Sequence, residues 1–272
     1  MIILKLGGSI ITKKDAKSPT VNYENLNRIS AEIASSSFDK LIIVHGAGSF
    51  GHPFARKYQI GAEIKDEEDY NHKKIGFCIT QSWVRKLNNK VCQILRENDI
   101  FAVSIQPSSF ITTENGRIYS CDLSLINKYL DLGFVPVLYG DVVLDLNKSI
   151  KISVLSGDQI IKYIGENLKP ERVILGTDVN GVYNKNPKKY ENAELMEIVT
   201  SLHDISAEDS INVDVTGGML GKVKELLDLA TMGIESEIIN ANNKGFIKKA
   251  LNGQKVVSTV IKKKDKLEVN KI

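Results

Sequence analysis

Cysteine is scarce in this chain: Cys78, Cys92 and Cys121 are the only three in 272 residues. They form no CxxC pair and no Cys/His metal spacing, and an odd count argues against a disulfide framework, so they read as reduced, mostly buried thiols. Charge of one sign is also lacking. The net charge is +3, and basic and acidic residues are interspersed, which excludes a dedicated nucleic-acid or anionic-membrane surface and suits a small anionic ligand. The opening apolar run Ile2-Ile3-Leu4 is cut short by Lys5 and a Gly pair, so it is neither a signal peptide nor a membrane span. There is no internal repeat, low-complexity tract or Pro-rich linker. Neither G-x-x-x-x-G-K-[ST] nor a strand-linked G-x-G-x-x-G occurs, which sets aside the P-loop and dinucleotide-binding folds. With 42% hydrophobic and 25% charged residues, what remains is an ordinary globular protein with a sizeable core, expected in the cytoplasm.

Short β-branched runs recur between helical patterns: Ile2 to Leu6, Lys40 to Val44, Phe101 to Ile105, Phe134 to Leu138, Arg172 to Leu175, Ser236 to Ile239 and Val256 to Ile261. Such alternation predicts an α/β fold with a mainly parallel sheet covered on both faces. Two stretches read instead as hairpins, Phe110 to Ile118 around Glu114-Asn115-Gly116 and Val142 to Ile152 around Leu146-Asn147-Lys148. The longest helical pattern runs from about Tyr70 to Glu97, and the four-residue spacing of Ile75, Ile79, Trp83, Leu87 and Val91 places them along one core-facing stripe. The tail Lys262 to Ile272 carries no assigned role, and a boundary between two lobes is expected near Leu168 to Glu171.

Three segments combine glycine, hydroxyl residues and lysine at strand ends, where bare amides can approach an oxyanion. The first is Lys5-Leu6-Gly7-Gly8-Ser9, with Lys14 close enough to return to the same cleft. The second, His45-Gly46-Ala47-Gly48-Ser49-Phe50-Gly51-His52, follows a strand; His45 reads as structural and His52 as the candidate for substrate contact. The third is Thr216-Gly217-Gly218-Met219-Leu220-Gly221-Lys222, at the start of a helix whose dipole and Lys222 favour polyphosphate. Each alone is explained equally by a capping turn; the repetition of the theme is what points to phosphate. Among the acids, Asp158 either orients lysines, binds Mg²⁺ or caps a helix. Asp178 follows an apolar run in the same way, and Asp141 reads as a turn residue. The loop Asn180 to Tyr190 offers asparagine and backbone groups for an adenine ring.

Taken together, Lys5-Leu6-Gly7-Gly8-Ser9, Ser156-Gly157-Asp158, Thr177-Asp178-Val179-Asn180-Gly181-Val182-Tyr183 with Asn186-Pro187, and Thr216-Gly217-Gly218-Met219 with Lys222 resemble the amino acid kinase family in order and spacing. The loop ending Phe50-Gly51-His52 is similar to that of its isopentenyl phosphate kinases, whereas acetylglutamate, uridylate and carbamate kinases lack that His. The resemblance implies an open αβα sandwich as a single domain over 1–272, an acceptor-binding lobe at about 1–168 and an ATP-binding lobe at about 169–262. It implies ATP with Mg²⁺ as cofactor, isopentenyl phosphate as acceptor in isoprenoid precursor synthesis of the mevalonate type, and a homodimer. Lys5, Gly8, Gly48, Asp178, Gly217 and Lys222 would contact ATP. Ala47, Gly48, His52 and Gly157 would contact the acceptor phosphate, with Lys5, Lys14, His52 and Lys222 as the catalytic set and no protein metal ligand. Ala47 and Asn180 depart from the commoner Gly and Asp; Ala47 still offers its backbone N–H.

The chemistry agrees with that resemblance. A phosphate acceptor is already anionic at neutral pH, so transfer to it needs positive charge and in-line positioning rather than a general base. Removing one such donor costs on the order of 3 kcal/mol, or ~100-fold in rate. Two alternatives stand beside it: a kinase of another phosphate or phosphonate such as fosfomycin, and a non-catalytic nucleotide-binding protein, which the presence of Lys5, Lys14 and Lys222 argues against. An isoprenoid tail wants apolar lining, expected from Ile75, Phe77, Ile79 and Trp83.

Overall fold

The computed structural model describes residues 1–13, 16, 18–185, 187, 189–205 and 218–264. Lys14, Asn186, Thr216, Gly217 and the end of the tail lie outside the described residues.

The chain opens with β1 (Ile2–Leu6), α1 (Gly8–Ile11), α2 (Tyr23–Ala34), β2 (Leu41–His45) and α3 (His52–Lys57). The long helix α4 (Glu67–Glu97) leads to β3 (Ala102–Ser104), the hairpin β4 (Ile111–Glu114) and β5 (Arg117–Cys121), then α5 (Ser124–Asp131) and β6 (Val135–Tyr139). A second hairpin, β7 (Asp141–Asp145) and β8 (Ile152–Leu155), precedes α6 (Gly157–Leu168) and β9 (Arg172–Thr177). The last elements are β10 (Ile198–Val199), α7 (Gly218–Thr231), β11 (Ser236–Asn240), α8 (Phe246–Leu251) and β12 (Ser258–Ile261). All seven expected strands and both hairpins are present.

The main sheet has eight strands in the order β10-β12-β11-β9-β1-β2-β6-β3, parallel from β11 through β3. Helices cover both faces, as the αβα expectation required. Side-chain alternation along the central strand β1 sorts the core. Ile2, Leu4 and Leu6 pack with Leu26, Ile29, Leu87, Val91 and Ile247 from α2, α4 and α8, whereas Ile3 packs with Ile160, Ile164, Val223 and Leu226 from α6 and α7. Lys5 therefore falls on the face of α6 and α7, which decides its partners.

The two hairpins join in a separate sheet, β5-β4-β7-β8, through parallel pairing of Thr112 with Leu144. Asn115 and Gly116 both have positive φ (52° and 73°), the signature of a two-residue type I′ connection. Asp145 pins both turns, accepting N–H bonds from Asn115 (3.0 Å), Gly116 (2.7 Å) and Asn147 (2.9 Å). The turn role expected of Asp141 thus belongs to Asp145.

The stripe expected along α4 does not hold. Leu87 and Val91 are buried, but Ile75 is 55% exposed, and the buried face ahead of Leu87 runs through Lys73, Gly76, Thr80 and Val84. At 3.6 residues per turn a four-residue step advances about 40° beyond a full turn, so four steps carry it ~160° around the helix. Cys92 is buried and Cys121 half-buried, but Cys78 is exposed.

Candidate functional site

The carboxyl ends of β1, β2, β6 and β9 lie along one edge of the main sheet, the edge at which open α/β sheets bind ligands. A cavity of about 650 Å³ opens there. Lys5, Gly8, Ala47, Gly48, His52, Gly157, Asp158, Asp178 and Lys222 all line it. The sequence places these residues as far as 217 positions apart, and the fold brings them to one wall. Lys14 and Gly217 lie outside the described residues.

Glycine is obligatory where β1 and β2 end. A Cβ on Gly8 would sit 2.5 Å from the Gly48 nitrogen, and one on Gly46 would sit 2.6 Å from the Gly8 nitrogen. The two glycine-rich turns therefore touch backbone to backbone. Gly157 and Asp158 open the twelve-residue α6, so their amides have no acceptor within the helix. Ser156 caps that helix, accepting the Gln159 N–H at 3.2 Å. This releases Asp158 from the capping alternative.

Asp158 instead bridges two lysines. One carboxylate oxygen bonds Lys5 Nζ, and the other lies 4.0 Å from Lys222 Nζ. Burial alone would raise the Asp158 carboxyl, but the charges of Lys5 and Lys222 hold it below the usual carboxylate range. Burial pulls the Lys5 ammonium down, Asp158 opposes this, and Lys222 adds to it. Lys222 is anchored by donating to the Gly218 carbonyl at 3.1 Å. The result is two ammonium groups, from β1 and α7, held apart by one carboxylate on the cavity wall.

The two histidines of the second glycine-rich turn lie in different surroundings. His45 is fully buried and neutral: Nδ1–H donates to the Gly46 carbonyl at 3.0 Å, and Nε2 accepts from Asn88 Nδ2 at 3.1 Å. Burial pulls it down to about 4. His52 begins α3 and lines the cavity. Arg56, one helical turn later on the same face, lines it too and is exposed; sequence reading missed it because a single arginine in a helix carries no local signal. Asp141 is 3% exposed and lines the same end, accepting N–H bonds from Ser108 (3.1 Å) and Val142 (2.9 Å); burial pushes it up to about 6.

Apolar lining at this end comes from Ala55, Val84, Val142, Val154 and Leu155. The residues expected there sit elsewhere. Trp83 stacks on Phe54 with centroids 5.6 Å apart, and Phe77 and Ile79 pack in a small cluster around Tyr58 and Ile60. At the opposite end the walls are Val182, Tyr183, Lys185, Pro187 and Ile205. Asn180 is not directed at a ligand: its Oδ1 accepts from Asn240 at 3.1 Å and Asn243 at 3.4 Å.

A pair of lysines across a carboxylate, glycine turns in contact and a deep cleft at the strand ends make a site for phosphoryl groups. The sequence profile of the amino acid kinase family matches residues 1–240, and the chain belongs to that family. Within it, the similarity is to isopentenyl phosphate kinases. That of Methanothermobacter thermautotrophicus is 56% identical over 262 residues, covering 96% of this chain and 98% of the relative. A structure described as "X-ray structures of isopentenyl phosphate kinase" superposes with a TM-score of 0.89 at 53% identity, covering 96% of this chain and 99% of the other. An isopentenyl phosphate kinase substrate complex superposes with a TM-score of 0.77 at 27% identity, covering 96% and 100%.

Proposed function

We propose that the protein transfers the γ-phosphoryl group of ATP to isopentenyl phosphate, giving isopentenyl diphosphate and ADP. A phosphate oxygen of the acceptor attacks the γ-phosphorus as the bond to the bridging β,γ-oxygen breaks, and ADP leaves with that electron pair. The observation that carries this reading is the Lys5–Asp158–Lys222 bridge on the wall of a cavity with unlike ends. One end has His52 and an apolar lining suited to a short branched alkenyl phosphate. The other, with Tyr183, Lys185 and Pro187, suits a nucleotide.

In this reading Lys5 and Lys222 offset charge on the transferring group and Asp158 fixes their spacing. Ala47, Gly48 and Gly157 supply amides to the acceptor phosphate, and Lys14 and Gly217 complete the transfer and nucleotide sites. The acceptor lobe spans about 1–168 and the nucleotide lobe about 169–262. ATP enters as its Mg²⁺ complex, in which the ion neutralises phosphate charge. Among the described residues no group of three His, Cys, Asp or Glu side chains could hold a metal ion. We further read the protein as a cytoplasmic homodimer, which sedimentation and fractionation would check. Among the described residues no helix is long and apolar enough to cross a membrane.

The test is ADP release with ATP-Mg²⁺ and isopentenyl phosphate, fosfomycin, acetylglutamate or UMP, for wild type and His52→Ala. Turnover on isopentenyl phosphate, lost in the variant, supports the assignment. Activity on another acceptor alone would leave the fold standing and remove the substrate.

A further inference from the structure

Thr12 sits at the seam between the two glycine-rich turns. It ends α1 in an extended conformation, is 1% exposed, and pairs with Val21 in an isolated antiparallel bridge. Its Oγ1 donates to the Gly8 carbonyl at 2.7 Å and accepts the Ser49 N–H at 3.2 Å. A Cβ on Gly48, whose φ is +51°, would lie 2.3 Å from that oxygen. One hydroxyl therefore meets the backbone of both turns where they touch.

A helix-end threonine commonly bonds the carbonyl four residues back, and that habit explains the contact with Gly8. It does not explain why the same oxygen takes an amide proton from a different loop, 37 residues on. The Gly8 carbonyl already accepts the Thr12 N–H at 3.0 Å, so the hydroxyl is not needed to satisfy it. Its distinct effect is to fix the distance between the turn after β1 and the turn after β2. Through a buried hydroxyl that distance is insulated from competing water.

We propose that Thr12 is a positioning residue for phosphoryl transfer, its hydroxyl clamping the two glycine-rich turns so that their amides keep one spacing around the transferred group. This rests on the phosphotransferase reading above. The clamp acts on groups that offset charge as it develops, and preorganised donors of this kind act on the rate more than on ground-state binding. A misplacement of about 1 Å in such a site costs on the order of 100-fold.

The experiment compares Thr12→Val, which keeps the shape and removes the hydroxyl, with Thr12→Ser, which keeps the hydroxyl and removes the methyl. We expect Thr12→Val to lower kcat by ~10- to 100-fold while KM for ATP and acceptor changes less than about twofold, and Thr12→Ser to stay within about threefold of wild type. A Thr12→Val enzyme of normal kcat, even with a lowered unfolding temperature, would overturn the proposal. So would a Thr12→Ser enzyme as slow as the valine variant, since the methyl would then be what matters. If Thr12→Val does not fold, the Thr12→Ser and Thr12→Ala pair carries the same contrast. Wild-type inactivity on isopentenyl phosphate sinks the substrate assignment instead, and the variants are then compared on the acceptor that turns over or on ATP hydrolysis.

Discussion

Replacing Asp158 with Asn tests the centre of the site while leaving its shape intact. The side chains of Lys5 and Asp158 are 6% and 12% exposed, so the variant strands a buried ammonium beside a neutral amide. Breaking a buried pair in this way costs about 3–5 kcal/mol when the remaining charge is retained. Lys5 has another outcome open to it. Burial already pulls its ammonium down, and Asp158 is the group that opposes this by charge and by hydrogen bond. Without Asp158, Lys5 loses its proton more readily, and the transferring phosphoryl group loses one compensating charge, a deficit of about 3 kcal/mol or ~100-fold in kcat.

That deficit has a pH signature that a simple loss of structure lacks. The charged fraction of Lys5 grows as pH falls, so the activity of Asp158→Asn should rise toward acid pH more steeply than that of wild type, in which Asp158 opposes the loss of that proton. The assay is ADP release at saturating substrates from about pH 5.5 to 8.5, with thermal unfolding followed in parallel. An Asn variant within about threefold of wild type would refute the bridging role. A variant equally dead at every pH, with an unchanged melting profile, would refute the argument through Lys5.

Three further outcomes follow from the same geometry. His45 stays neutral in the fold down to about 4, whereas unfolded histidine gains its proton near 6.5. The unfolded state therefore binds more protons in that window, and stability is lost by up to about 3 kcal/mol as pH falls from 6.5 to 4. Urea midpoints measured over this range should slope less for His45→Gln than for wild type, and equal slopes would remove His45 as the cause. Gly8→Ala sets a Cβ 2.5 Å from the Gly48 nitrogen, a backbone overlap that no rotamer relieves; circular dichroism should show a melting point lower by about 5 °C, and ADP release at least a ~100-fold loss of activity. Arg56→Ala should raise KM for the acceptor by about fivefold at low salt, with kcat unchanged, and the effect should fade above about 0.5 M salt as steering is screened.

The sheet was legible because its central strands are short, β-branched and buried on both faces, so their runs stand out without any knowledge of partners. The hairpins were legible because Asn115-Gly116 states its own turn type. What stayed hidden was long-range. Nothing near Thr112 announces its parallel pairing with Leu144, so the second sheet was not foreseen. Asp158 has a local capping alternative, and only the structure shows Ser156 taking that role. Thr12 sits in an unremarkable stretch, and its significance depends on Ser49. The Ile75 error has a different origin, since a four-residue spacing drifts around a helix and reads as one face only over two turns.

The spacing of the lysines is set well away from them. Alternation along β1 sends Lys5 to the side of α6 and α7. Those helices close on each other at Gly165, where an added Cβ would sit 2.8 Å from a Leu229 methyl, and where Lys162 of α6 bonds Asp228 of α7. The N-terminal ends of the same helices carry Asp158 and Lys222. The 4.0 Å gap between those two groups therefore depends on how tightly α6 and α7 pack around Gly165. Lys5, in contrast, is held by the rigid centre of the sheet. One lysine of the pair is thus set by the central strand of the sheet, and the other by a helix-helix contact.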